Sequence, residues 1–151
     1  MSLTTVFVVS DAGASSPCSG KIFGVFLDEA KAGELEKDIN ASPRSWDLYG
    51  VNGLEGQVYA DPLSLDEIPK SDEATPILPK PESGSTVYLV TDIGVTRPCM
   101  GLLFGVFRDR SKAEELQIRV EANAEKWGLW DTDDTVRIYP CKLDEVRYKK
   151  N

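Results

Sequence analysis

Short apolar runs separated by glycine-rich polar stretches set the plan of this chain. Residues 5–9, Thr-Val-Phe-Val-Val, are β-branched and consecutively apolar, and they end at Ser10-Asp11. They predict a strand with both faces covered. Residues 12–20 are rich in Gly, Ser and Pro and predict a loop. A second strand follows over 21–27, with Gly24 in its middle marking a bulge or a close backbone approach. A connection of this length suits antiparallel pairing of the two strands. Asp28 is placed to cap a helix over 29–40, in which Ala32, Leu35 and Ile39 form one apolar stripe. Ser42 and Pro43 stop that helix and open a new turn carrying Trp46, Leu48 and Tyr49. Turn residues at 50–53 then lead to a third strand near 57–60.

The plan repeats. D-x-G-x-x-x-P-C-x-G-x-x-F-G-V-F begins at Asp11 and again at Asp92, 81 positions further on. The copies agree at about 19 positions up to the tryptophans Trp46 and Trp127, more than shared propensity requires. The second copy predicts strands over 86–90, 102–107 and 136–139. Its helix opens with the capping-box pattern Ser111-x-x-Glu114 and carries the stripe Ala113, Leu116 and Val120. No proline interrupts this copy, so the helix is expected to run on toward Lys126 and end at Gly128. Between the copies, Pro62, Pro69, Pro76, Pro79 and Pro81 predict a semi-extended linker, with residues 62–65 finishing the edge of the first unit.

The fold class expected is therefore α+β, two β-β-α-β repeats with antiparallel sheets. The first repeat is assigned to residues 1–68, the Pro-rich linker to 69–84 and the second repeat to 85–151. A unit of roughly 65 residues is marginal alone. Each unit owns one long helix, so one face of its sheet needs another cover. The expected cover is the other unit, packed about a pseudo-two-fold axis as in an isologous dimer.

Charge and composition narrow the chemistry. A net charge of −8 disfavours nucleic acid and anionic membrane surfaces as partners. With no basic leader and no apolar run of about 20 residues, a cytoplasmic protein is expected. The chain contains no histidine, which removes histidine triads, Cys–His dyads and most zinc sites. Cys18, Cys99 and Cys141 are too few and too scattered for a disulfide framework and read as free thiols. No enzyme activity, cofactor or metal is expected.

The duplicated loop supplies the candidate binding residues: Asp11, Gly13, Pro17 and Cys18, and in the second copy Asp92, Gly94, Arg97, Pro98 and Cys99. A strand rather than a helix follows each loop and no P-loop lysine is present, so a phosphate cradle is disfavoured. The loop is either a required hairpin turn, with aspartate capping it and proline fixing φ, or a doubled contact surface. The turn is the simpler reading. Asp131-Thr-Asp133-Asp134 starts like a calcium loop but lacks the glycine and the bidentate glutamate, and reads as an acidic turn. Asp66, Glu67, Asp144 and Glu145 read as solvated edge residues, and the tryptophans as core.

Val87-Tyr-Leu-Val90, Gly105-Val-Phe107, Ser111-Lys-Ala-Glu-Glu-Leu116 and Leu143-Asp-Glu145 resemble a short domain of unknown function encoded in phage and bacterial genomes. The first copy matches it less well, with Phe7 for tyrosine and Gly33 inside the helix. The resemblance implies no activity, cofactor or catalytic residue. The expected role is a non-catalytic phage or mobile-element accessory protein that binds a host protein and inhibits or redirects it. The alternative is a binder of a small nucleotide-like signal, with Arg97 supplying charge and a tryptophan a stacking face. A homo-oligomer is compatible with both.

Overall fold

The computed structural model describes residues 3–11, 21–46, 48, 58–69, 77–92, 102–128, 136–148 and 150. The chain is α+β. Strands β1 (Thr5–Ser10) and β2 (Ile22–Phe26), helix α1 (Glu29–Ala41) and strand β3 (Tyr59–Ser64) occupy the first half. Strands β4 (Thr86–Thr91) and β5 (Leu103–Phe107), helix α2 (Arg110–Ala122) and strand β6 (Arg137–Lys142) occupy the second. They form two antiparallel three-stranded sheets, ordered β2-β1-β3 and β5-β4-β6.

The registers match position for position. Val9 opposes Gly24 and Ser10 opposes Ile22, so Phe23 is an extra residue in its strand. Val90 opposes Gly105 and Thr91 opposes Leu103, which leaves Phe104 in the same place. Each is a β-bulge, a residue outside the ladder that bends its strand and re-aims its side chain. The third strands run later than residues 57–60 and 136–139 and end at Ser64 and Lys142. Each contains one proline, Pro62 opposite Phe7 and Pro140 opposite Tyr88. Such a strand is tolerated because β3 and β6 lie at sheet edges.

Alternation along the central strands explains why both of their faces are apolar. Val6 and Val8 point to one side, Phe7 and Val9 to the other. The Val9 side meets Phe23, Phe26, Ala32, Leu35 and Ile39, the last three being the α1 stripe. In the second half Val90 meets Phe104 and Phe107 with Ala113, Leu116 and Val120 of α2. The remaining faces meet in one further cluster. Val6, Val8, Ile22, Val25 and Leu65 are buried there with Val87, Leu89, Val106, Cys141 and Leu143. The helices thus cover the outer faces, and the inner faces of the two sheets share a core.

Two features of α2 differ from expectation. Its N-cap is Asp109, whose carboxylate accepts from Ser111 N at 2.9 Å, so Ser111 is inside the helix rather than capping it. The helix also stops at Ala122, and a separate 3₁₀ turn over Ala124–Trp127 follows, ended by Gly128 at φ 88°. The first half breaks at the corresponding place, before Pro43–Trp46. Proline is therefore not the cause. In both halves the turn brings a tryptophan edge-on to the bulged phenylalanine, 6.0 Å between centroids for Phe23–Trp46 and again for Phe104–Trp127. That aromatic contact is a shared reason for the break.

Gly24 and Gly105 stand beside the bulges, and their surroundings differ. A Cβ on Gly24 would lie 2.8 Å from the Glu145 carbonyl oxygen and 2.8 Å from the Phe26 ring. On Gly105 the closest atoms are Leu116 Cδ2, the end of a flexible side chain, and the Phe107 ring, both at 3.0 Å, with no backbone atom among them. Gly24→Ala is expected to cost about 1–3 kcal/mol by overpacking. Gly105→Ala is expected to cost less. Chemical denaturation of the two variants checks the order.

Candidate functional site

Of the candidate binding residues, Asp11 and Asp92 lie within the described structure. Gly13, Pro17, Cys18, Gly94, Arg97, Pro98 and Cys99 lie outside the described residues, as does the acidic stretch 131–134. Both aspartates are completely buried at the ends of the central strands. Asp11 Oδ1 accepts from Lys21 N at 3.0 Å, and Asp11 N donates to Lys21 O at 3.3 Å. Asp92 Oδ1 accepts from Leu102 N at 2.8 Å, and Thr91 Oγ1 donates to Leu102 O at 2.6 Å. Each carboxylate therefore ties the strand that enters the loop to the residue at which the chain returns.

This arrangement holds the two ends of the loop together where the bulge interrupts the regular ladder. It explains why aspartate stands at the same place in both copies: a short acceptor is needed at the loop root. Asp11→Ala or Asp92→Ala leaves a half-buried amide without that acceptor and is expected to cost about 1–3 kcal/mol, with asparagine retaining most of the stability. Thermal melts of the four single variants check this.

The two Leu-Asp-Glu elements differ from the expected solvated edges, and for both aspartates that expectation is overturned. Asp66 and Asp144 adopt left-handed backbones at φ 67° and 65° and reach across to the other half. Asp66 N donates to Val106 O at 2.8 Å, and Asp144 N donates to Val25 O at 2.9 Å. The Asp66 carboxylate accepts from Arg108 N at 2.9 Å and pairs with Arg108 Nε at 2.7 Å. The Asp144 carboxylate accepts from Leu27 N at 2.8 Å and from Ser83 Oγ. Burial pushes the Asp144 pKa up, but hydrogen bonds from Ser83, Leu27 and Asp28 together with the Lys31 charge outweigh it and hold the group below its ordinary value. The signal was in the sequence, since the same Leu-Asp-Glu closes both third strands. What the sequence lacked was the sharp turn that re-aims the aspartate.

Other chemistry is sparse. Cys141 is buried between the sheets, and burial pushes its thiol up to about 11 despite the nearby Arg147, so it is a packing residue rather than a nucleophile. Trp46 is a core residue as expected, while Trp127 is half-buried. Among the described residues no group of three or more Asp, Glu or Cys is placed to hold a metal ion. An open cleft of ≈ 490 Å³ at the junction of the halves is lined by Lys31, Lys80, Ser83 and Asp144, among others. Among the described residues no helix is long and apolar enough to cross a membrane.

No family model, no curated protein and no solved structure matches this chain.

Proposed function

We propose that the chain is a non-catalytic binding protein that engages a protein partner through its duplicated loops. The observation that carries this reading is the pair of identically rooted loops: Asp11 and Asp92, both buried, each tie a loop's departure to its return. Fixed loop ends lower the ordering cost of a contact surface, which is what a binding loop on a rigid scaffold requires. The reciprocal contacts of Asp66 and Asp144 and the core shared by the two sheets support an approximate two-fold relation between the halves. The loops then form a two-site display on one chain. The resemblance to short phage and bacterial domains supports a bacterial host protein as the partner.

The test is capture from a bacterial lysate with the intact chain, followed by crosslinking from single cysteines placed in each loop. Crosslinks from residues 12–20 and 93–101 to one partner are expected. A partner that binds equally well after both loops are replaced by Gly-Ser segments of equal length would overturn the reading.

A further inference from the structure

The same aspartate roots both loops, but the first root has a further neighbour, the segment that follows β6. Arg147 N donates to Phe23 O at 2.8 Å, on the residue that the bulge leaves outside the ladder. The Tyr148 ring meets Phe23 edge-on at 5.5 Å, and Phe23 meets Trp46 in turn. The Arg147 guanidinium lies 5.4 Å from the ring of Tyr139 on β6. Lys150 Nζ pairs with Asp38 of α1 at 3.0 Å. Residues 146–150 thus cross the first half as a strap.

The strap reaches the loop root through Lys21, the residue at which the first loop returns. Lys21 N donates to the Asp11 carboxylate, and Lys21 O accepts from Asp11 N. Lys21 Nζ donates to Trp46 O at 3.1 Å and lies 5.4 Å from the Tyr148 centroid. One residue therefore joins the aspartate root, the tryptophan turn and the strap. The second half is built differently at each of these places. Leu102 stands where Lys21 does and has no ammonium to give. Counting on from the aligned Leu-Asp-Glu motifs, Pro69 and Lys70 stand where Arg147 and Tyr148 do, so neither the N–H nor the ring recurs in the sequence. Phe104 is 8% exposed where Phe23 is 0% exposed, and Trp127 is half-buried where Trp46 is buried.

The strap is also the kind of element that opens before the fold does. Val146 and Tyr148 are 45% and 38% exposed, and both side chains of the Lys150–Asp38 pair are nearly half exposed. Exposed ion pairs and exposed cation–ring contacts contribute little singly. Segments held by few buried contacts open locally, at a free energy below that of global unfolding.

We propose that residues 146–150 form a releasable strap that controls the root of the first loop and leaves the second loop to its own aspartate. Closed, the strap steadies Lys21 through Tyr148 and Phe23 and holds the first loop ready to bind. Open, it withdraws that support, and the first loop loses affinity while the second keeps it. The chain then carries one constitutive site and one switchable site. The regulatory part rests on the loops being the contact surface, as proposed above, whereas the strap is read on the chain alone.

The test compares the intact chain with its Arg147→Pro/Tyr148→Ala variant, which removes the N–H and the ring, by amide hydrogen exchange followed by NMR. The Lys21 and Leu102 amides are a matched pair, since each donates to the aspartate that roots its loop. Exchange at Lys21 is expected to rise at least tenfold, with Leu102 changed less than twofold. Tyr148→Phe, which keeps the ring, should exchange as the intact chain does. No change at Lys21, or equal acceleration at both amides, would overturn the proposal, the second because it marks general loosening of the fold. In the capture experiment, crosslinking from residues 12–20 should fall at least tenfold in the double variant, with crosslinking from 93–101 retained. Undiminished crosslinking from 12–20 would refute control by the strap. Failure to capture any partner would count against the loops as a contact surface and not against the strap, which the exchange ratio decides.

Discussion

A chain cut between Pro69 and Ile77 is expected to yield two fragments that do not fold alone and recover the native spectrum when mixed. The reason is the cluster between the sheets. Val6, Val8, Ile22, Val25 and Leu65 face Val87, Leu89, Val106 and Leu143 there, and none of them is more than 1% exposed. Exposing a fully buried aliphatic side chain costs about 1.5–3 kcal/mol, so uncovering either inner face costs on the order of 10 kcal/mol. That is comparable to the whole stability of an ordinary domain, about 5–15 kcal/mol. The backbone adds to this, because Leu65 N, Asp66 N, Leu143 N and Asp144 N all donate across strand ends or between halves. Circular dichroism and sedimentation of each fragment, alone and mixed, measure the outcome. A first fragment that melts cooperatively as a monomer would refute the dependence.

The elements were legible where side-chain period and cap chemistry agree. Ala32, Leu35 and Ile39 predict a stripe and form one, and Asp28 caps the helix from the predicted place, accepting from Ala30 N at 2.9 Å. Strand positions were legible as runs of Val and Phe, but not the bulges, because an extra residue in a ladder leaves no period to read. The end of α2 departs from its sequence for a related reason. Residues 123–127 have helical propensity, and the contact of Trp127 with Phe104 draws them into a 3₁₀ turn instead. For the candidate site, the sequence pointed to Asp11 and Asp92 through their repetition, and their burial identifies them as loop roots. Asp66 and Asp144 were passed over because a charge beside another charge near a unit's end reads as solvated. Only the left-handed turn at each aspartate turns the carboxylate toward the other half.

That turn makes the aspartates of the Leu-Asp-Glu elements sensitive polar positions, because each holds backbone donors of the other half. Asp66→Ala removes the acceptor of Arg108 N and leaves the half-buried Arg108 side chain without its ion pair, at an expected cost of about 1–3 kcal/mol. Asp144→Ala removes the acceptor of Leu27 N and Ser83 Oγ, with an expected cost in the same range, about 1–3 kcal/mol. Because both contacts join the halves around one shared core, the double variant should lose more than the sum of the single losses if the halves separate cooperatively. Acid titration gives an independent readout. The Asp144 pKa is depressed in the folded chain, so its contribution is complete above the ordinary aspartate pKa of about 3.9 and is lost as pH falls through the lower folded value. Asp144→Asn keeps a carbonyl acceptor and tolerates the left-handed backbone, so it should retain most of the stability at pH 7 and reduce the loss below pH of about 4. Urea melts across that range decide the matter. An Asp144→Asn chain with an unchanged acid profile would show that other carboxylates, and not this contact between the halves, set the acid limit of the fold.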